Sequence, residues 1–246
     1  MDELVYVAMT GAKQLMLAQA INSHNLANSS TAGFHADLHG FESIPVDGPG
    51  YETRVNAQVE SAGWSEAPGA LISTGNPMDV AVTGGGWIAV QAPDGAEAYT
   101  RAGDLRINAL GQLMNGAAHP VLGESGPIAV PPHSSLSIGA DGTVSMIGLG
   151  QGPETGASVD RIKLVNPPAA DMAKDADGLM RMVDGSAAPT DAAVTLTTGA
   201  LVGSNVNVVD AMVSMIEIAR QYELQVRMIN TADENATAAA SLLRMS

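Results

Sequence analysis

Residues 208–244 contain neither glycine nor proline, which sets this segment apart from the rest of the chain. Glycine and proline are the residues that interrupt helices most strongly. Apolar residues recur here at alternating steps of three and four, which predicts one helix of about 55 Å with a coiled-coil seam. Ser204 or Asn207 can cap its first turn. The seam positions, nine of them apolar, are Met212, Met215, Ala219, Tyr222, Val226, Ile229, Asp233, Ala236, Ala240 and Leu243.

A second helix is predicted at the N-terminus, over residues 3–28. Its apolar or small positions recur at spacings of three, four and seven, which is the helical period, at Leu4, Val7, Gly11, Ala18 and Ile21. The segment then runs into Asn22, Asn25 and Asn28, although amide side chains favour helix ends and turns over helix interiors. Gly33 follows, and glycine is the residue suited to a positive φ after a helix. We therefore predict a defined helix exit whose amides need partners.

The sequence between the two predicted helices indicates only β-structure. Short alternating runs lie at 55–59, 78–82, 87–90, 105–108, 135–138 and 161–165. Turn dipeptides, which are strong hairpin signals, punctuate them at Asp47-Gly48, Asp94-Gly95, Asn115-Gly116, Asp141-Gly142, Asp177-Gly178 and Asp184-Gly185. This part of the chain therefore predicts an all-β domain.

Together these patterns predict an α+β fold in which the long terminal helices pair as a coiled-coil-like core domain. The predicted helical core (assembly) domain comprises residues 1–28 and 208–246. An all-β domain, residues 76–197, is inserted between the helices, and residues 29–75 and 198–207 form an extended linking segment. The alternative is that both helices pack on the β domain.

Composition excludes several classes of partner. The formal net charge is −15, from 26 acidic and 11 basic residues, which argues against nucleic acid or an anionic membrane as a partner. Charged residues make up 15% of the chain, against roughly 25% in ordinary soluble domains, which favours a surface covered by other chains. The chain has no cysteine and no run of 18 apolar residues, so neither a thiolate site nor membrane insertion is expected. The first residues lack the basic region of a cleavable signal peptide.

Candidate sites of chemistry are weak, and we predict no catalytic, cofactor or metal site. His35 and His39 lie four residues apart, a metal-binding spacing on a helix, but glycines flank them and no third ligand lies nearby. The segment 174–178, KDADG, departs from the calcium-loop pattern at its first and last ligand positions. Residues 84–86 are three glycines without the lysine of a phosphate-binding loop, and a turn or bulge is predicted instead.

Four blocks carry a family resemblance. They are NLANSSTAGF (25–34), TGNPMDVAVTGGGWIAVQ (74–91), YTRAGDLRINALGQLMNGAAHPVLG (99–123) and GSNVNVVDAMVSMIEIARQYELQ (203–225). The chain resembles the axial proteins of the bacterial flagellum. Within that group it is similar to the proximal members of the basal-body rod family in three features: its acidic start, its short length and the tail TADENATAAASLL (231–243). Two residues depart from the family pattern: His35 replaces a basic residue, and Val202 replaces an acidic one.

The resemblance implies a structural subunit of the proximal rod, without enzymatic activity or cofactor. Its terminal helices would polymerise with those of neighbouring subunits into a tubular shaft that transmits torque and encloses the export channel. The implied partners are proximal and distal rod subunits, copies of itself and, in transit, the flagellar export apparatus. The implied location is the rod in the periplasm, reached without a cleavable signal peptide. A distal rod protein, a secreted β-domain binding module and an enzyme with an unrecognised β-domain site are the alternatives.

The expected subunit interface follows from the two helical stripes and the resemblance. It includes Asn25 and Asn28, whose amides would bond to other helices and to the reversing chain, and Gly33 provides the backbone turn. The remaining interface positions are Leu4, Val7, Gly11, Ala18 and Ile21 with the nine apolar seam residues, Met212, Met215, Ala219, Tyr222, Val226, Ile229, Ala236, Ala240 and Leu243.

Overall fold

The computed structural model describes residues 2–45, 55–150, 152 and 155–244. The turn predicted at Asp47-Gly48 lies outside these residues, as do the side chains of Leu4 and Leu243. The chain divides into two compact units. We call residues 1–29, 37–64 and 206–246 the helix–hairpin unit, and residues 30–36 and 65–205 the β unit.

Both predicted helices are present. Helix α1 spans Asp2–Ala27 and helix α2 spans Val208–Arg244. Asn207 caps α2, because its Oδ1 accepts a hydrogen bond from the backbone N–H of Val209 at 3.0 Å, and its Nδ2 donates to a carboxylate oxygen of Asp210 at 2.7 Å. In the part of the chain that the structure describes, neither helix carries an apolar stretch long enough to cross a lipid bilayer.

The helix–hairpin unit also contains a hairpin of two long strands, β1 (Asp37–Pro45) and β2 (Val55–Trp64). The strands pair antiparallel, with Phe41 opposite Val59. Val59 also contacts the helices. Its N–H donates to Oε1 of Gln14 in α1 at 3.0 Å, and its side chain packs on the small core between the helices. The hairpin therefore covers the pair of helices from one side.

The class α+β is correct, but the predicted coiled-coil-like pairing of the helices is wrong. The core between them consists of Leu15, Ala18 and Ile218, with Val59 of the hairpin as a third partner. Among the described side chains of α2, the buried positions are Ala211, Ile218 and Ala232, each one residue before a predicted seam position. Several seam residues face solvent within the chain, namely Met212, Ala219, Tyr222, Asp233 and Ala240.

The β unit is built from short antiparallel strands. They are β3 (Leu71–Ser73), β4 (Val80–Thr83), β5 (Trp87–Gln91), β6 (Glu97–Thr100), β7 (Arg106–Ile107), β8 (Leu113–Met114), β9 (His133–Ile138), β10 (Thr143–Gly148), β11 (Ala157–Arg161), β12 (Leu164–Val165), β13 (Met172–Lys174), β14 (Met180–Met182), β15 (Thr195–Thr198) and β16 (Ala200–Val202). One 3-10 turn, Ala169–Asp171, precedes β13. Each of the alternating runs in the sequence overlaps at least one strand.

The sheets of the β unit are small, and most of them contribute to one large core. A five-stranded sheet has the order β12–β5–β6–β14–β13, a three-stranded sheet the order β11–β10–β9, and the pairs β15–β4, β16–β3 and β7–β8 complete the unit. Asp94-Gly95, Asp141-Gly142 and Asp177-Gly178 lie between paired strands, as hairpin turns do. Ile88 and Val144 of the strands, with Val121 and Ile128 of the segment between β8 and β9, are fully buried and belong to the core.

Candidate assembly surface and the joint cluster

The amides at the end of α1 find partners within the chain. Asn25 forms a reciprocal pair with the backbone of Asp37 at the start of β1: its Nδ2 donates to the carbonyl oxygen, and its Oδ1 accepts from the N–H, each at 2.8 Å. Asn22 is buried and donates to the carbonyl oxygen of Ala211 in α2 at 2.7 Å. Asn28 donates to the carbonyl oxygen of His24, one turn back, at 3.0 Å. The polar end of α1 therefore ties α1 to the hairpin and to α2.

Substituting Asn25 by alanine is expected to lower the stability of the helix–hairpin unit by about 2–3 kcal/mol. The reason is that two backbone groups of Asp37 lose their partners where water has limited access. Chemical denaturation followed by helical circular dichroism measures the loss. Asn25→Asp is the matched control: it keeps the acceptor for the Asp37 N–H and is expected to lose less. Equal stability of wild type and Asn25→Ala would contradict a bonding role for this amide.

Large apolar side chains remain exposed along both helices. On α1, Tyr6 is 62% exposed, and on α2, Val209 is 67% and Met212 51% exposed. The remaining members of this group are Met9, Met16, Leu17, Val208, Val213, Ile216, Tyr222, Leu224 and Met228, together with Leu38, Phe41, Ile44 and Val55 of the hairpin. We call this set the apolar helix–hairpin surface. Large apolar patches are rare on monomeric proteins and mark sites of protein association, so these exposed residues are candidates for such a site.

The structure separates the predicted interface residues whose side chains it describes into buried, half-buried and exposed groups. Ala18 and Asn25 lie buried inside the unit, and Val7, Gly11, Ile21, Asn28, Met215, Val226, Ile229 and Ala236 are half-buried. Met212, Ala219, Tyr222 and Ala240 are exposed. Gly11 lies against α2, where a Cβ atom would stand 3.3 Å from Cδ of Gln225. The buried group holds the unit together, and the exposed group is available to other chains.

A second cluster lies in the β unit, at the segments through which the chain enters and leaves it. We call Phe34, His35, Trp87, Arg101, Lys174 and Asn205 the joint cluster. His35 is 4% exposed, and the centre of its ring lies 5.0 Å from that of the Trp87 ring. The Arg101 guanidinium stands 4.6 Å from the centre of the Trp87 ring. Lys174 lies 4.0 Å from the centre of the Phe34 ring and donates to the carbonyl oxygen of His35 at 2.7 Å. The cluster thus stacks aromatic rings and cations.

Asn205 of the joint cluster bonds to two further chain segments, at Ala36 and at Ser65 and Ala67. Its Oδ1 accepts from the N–H of Ala36 at 2.7 Å, and its Nδ2 donates to the carbonyl oxygens of Ser65 at 3.0 Å and Ala67 at 2.8 Å. One amide side chain therefore connects three segments that are distant in sequence. Sequence reasoning missed Asn205, and its presence in the GSNVN block was the available signal.

Gly33 lies beside this cluster with a φ of 67°, and its N–H donates to the carbonyl oxygen of Val202 at 2.8 Å. A Cβ atom on Gly33 would overlap backbone atoms of Arg101 and Ala102. The position therefore requires glycine for two independent reasons, its backbone conformation and the absence of space.

The two histidines of the candidate metal pair belong to different units. His35 belongs to the joint cluster of the β unit, whereas His39 lies in the hairpin against Phe41. In the 174–178 segment, Asp175 and Asp177 both pair with Arg181, at 3.1 and 2.7 Å. Within the described residues, no three histidine, aspartate or glutamate side chains come together as a metal ion would require.

Two family models match the chain. The model described as Flagellar basal body rod FlgEFG protein C-terminal matches residues 197–242, which include α2 as far as residue 242. The model described as Flagellar hook protein FlgE/F/G D1 domain matches residues 81–146, within the β unit.

Known proteins match the chain over its whole length. The flagellar basal-body rod protein FlgF of Salmonella typhimurium strain LT2 is 42% identical over 252 aligned residues, covering 100% of both chains. FlgF of Escherichia coli K12 is 40% identical with the same coverage. The rod protein FlgG of Buchnera aphidicola subsp. Schizaphis graminum is 31% identical, covering 94% of this chain and 95% of FlgG. The chain therefore belongs to the flagellar basal-body rod protein family, with FlgF proteins among its full-length relatives.

Proposed function

We propose that the chain is a structural subunit of the proximal rod of the flagellar basal body, and that it polymerises through its terminal helices. The observation that carries this proposal is the apolar helix–hairpin surface, which a single chain leaves open. Relatives of full length are named flagellar basal-body rod proteins, which supports the same role. In this proposal the subunit serves a mechanical purpose and catalyses no reaction.

The proposed assembly domain comprises residues 1–28 and 208–246, with residues 29–75 and 198–207 as the link to a β domain over residues 76–197. The subunit interface uses the exposed predicted positions, Met212, Ala219, Tyr222 and Ala240, together with the neighbouring exposed apolar residues of both helices. The half-buried positions, such as Ile229, add contact area at its edge. Leu4 and Leu243 are also proposed as residues of the subunit interface.

The proposed partners are other proximal and distal rod subunits and copies of the same chain. The export apparatus of the flagellum is proposed as a transient partner. The proposed final location is the rod within the periplasm. The net charge of −15 disfavours nucleic acid as a partner.

Cysteine labelling tests this interface directly, because the natural chain contains no cysteine and any thiol introduced is unique. Met16→Cys and Val213→Cys place a thiol at exposed positions on α1 and α2. We expect a maleimide to label both variants completely as purified monomers, and to label them at least tenfold more slowly in isolated basal bodies. Burial excludes the reagent from the thiolate that reacts.

Two reference variants calibrate the labelling. Ala8→Cys, at a buried position, is expected to resist the reagent in both states, and Leu110→Cys, at an exposed position of the β unit, reports full labelling of the monomer. Equal labelling of Met16→Cys and Val213→Cys in monomers and basal bodies would exclude these helix faces from the interface. Absence of the chain from purified basal bodies would favour a secreted binding module.

A further inference from the structure

We propose that His35 makes the joint cluster acid-sensitive: the cluster is closed while the imidazole is neutral and opens locally when the imidazole takes up a proton. This inference concerns the β unit alone and does not rest on the proposed function. It follows from the position of the His35 ring in the joint cluster, where the segments that enter and leave the β unit contact the rest of that unit.

The hydrogen bonds around His35 define its neutral form. Nδ1 lies 2.8 Å from the carbonyl oxygen of Ser65, which can only accept, so Nδ1 carries the hydrogen. The Nδ2 of Asn205 donates to the same carbonyl oxygen at 3.0 Å. The closed cluster therefore uses His35 in its neutral Nδ1–H tautomer, and a proton taken up from solvent would go to Nε2.

The charges around the ring oppose protonation. Arg101 lies on Trp87, whose ring packs at a tilt against the imidazole, and Lys174 donates to the carbonyl oxygen of His35 itself. Of the nearby carboxylates, Glu66 follows Ser65 and lines a surface groove with Arg101, while Asp175 follows Lys174 and pairs with Arg181. A charged imidazole would thus be the third cation of the cluster.

Burial lowers the pKa of His35 below its ordinary value, and the two cations lower it further, while the Ser65 hydrogen bond opposes them. In an open cluster the imidazole regains the ordinary pKa of about 6.5. The closed form therefore binds a proton less readily than the open form. Its stability is complete above about pH 6.5 and falls as the pH drops through that value toward the lowered pKa.

The segments that depend on this ring are identifiable from their backbone hydrogen bonds. Gly33 N–H donates to Val202, Ala36 N–H to the Asn205 side chain, and Asn205 N–H to Phe34 at 3.2 Å. Local opening would release these three amides to solvent together, without unfolding the core of the β unit. Hydrogen exchange detects openings of this kind.

Hydrogen exchange of the full chain, corrected for the intrinsic effect of pH, tests the proposal. Between about pH 7 and about pH 5 we expect exchange in residues 33–36 and 203–205 to become several-fold faster, while core strands such as β5 stay protected. His35→Gln keeps a side-chain donor that carries no charge at any pH, and it is expected to abolish the acceleration. His39→Gln removes an imidazole outside the cluster and is expected to behave as wild type.

The proposal would be overturned if hydrogen exchange in these residues accelerated at low pH as much in His35→Gln as in wild type. It would also be overturned if exchange in wild type did not accelerate. If His35→Gln does not fold, an NMR titration of the histidine rings in the unaltered chain decides the question. A midpoint for His35 below about 6.5, coinciding with release of the Gly33 and Ala36 amides, supports the acid-sensitive joint. A midpoint at or above that value excludes it.

Discussion

Replacing Met212 by aspartate is expected to abolish swimming, while the purified chain melts close to the wild-type temperature. Met212 is 51% exposed, so within the monomer the carboxylate stays in water and the free energy of unfolding changes by only about 0.5 kcal/mol. In the proposed interface a neighbouring helix would desolvate the charge, and an unpaired buried charge costs about 3–5 kcal/mol per contact. Motility in soft agar, recovery of the chain in basal bodies and thermal unfolding of the monomer measure the contrast.

Met212→Leu is the matched control, because it keeps an apolar side chain of similar volume and is expected to swim normally. Tyr222→Asp, at a second exposed position of α2, is expected to reproduce the defect of Met212→Asp. Normal swimming by both aspartate variants would remove this face of α2 from the interface. A large fall in melting temperature would place Met212 inside the fold of the monomer.

Gly33→Ala is expected to destabilise the β unit by roughly 3–5 kcal/mol, the sum of a left-handed backbone conformation and of overpacking. The added Cβ would overlap backbone atoms of Arg101 and Ala102, which cannot rotate away as a flexible side chain can. Sequence alone predicts a graded series in which valine is most harmful, alanine milder and asparagine milder still. The structure predicts that all three are severe, since each carries a Cβ atom. Urea denaturation followed by tryptophan fluorescence measures the loss.

Gly178→Ala separates the two causes. Gly178 also lies in the β unit with a positive φ of 81°, but a Cβ atom there would meet no other atom within 4 Å. Only the cost of the backbone conformation remains, about 1 kcal/mol. Losses of equal size for Gly33→Ala and Gly178→Ala would mean that the backbone of Arg101 and Ala102 yields to the new atom.

Local patterns predicted the elements of this fold because their causes are local. The absence of glycine and proline from residues 208–244 predicts the extent of α2, and alternation with turn dipeptides predicts the strands. The face that α2 buries was not predictable in the same way. Ala211 and the next residue, Met212, are both apolar, and so are Ile218 and Ala219. Hydropathy alone therefore does not distinguish a buried face with Ala211 and Ile218 from one with Met212 and Ala219. The hairpin, through Val59, joins the helices on the face that includes Ile218.

The joint cluster was beyond prediction for a different reason. Its members come from sequence positions between 34 and 205, and no spacing rule connects His35 with Trp87, Lys174 or Asn205. The sequence indicates His35 only as half of a weak metal pair and as a departure from the family pattern. What brings these residues together is the tertiary path of the chain.

The separation of α1 and α2 by the whole β unit has a consequence for the order of folding. Ala8, Leu15 and Ala18 of α1 are synthesised first, yet the core that buries Leu15 and Ala18 includes Ile218 near the opposite end. A helix without tertiary packing is marginal in water, and contacts between distant segments form slowly. The β unit can therefore finish folding while α1 still frays. In a refolding experiment on Trp64→Phe, which leaves Trp87 as the single tryptophan, its fluorescence should recover first and the helical circular dichroism last. During that interval the ends of the chain are open to partners other than each other.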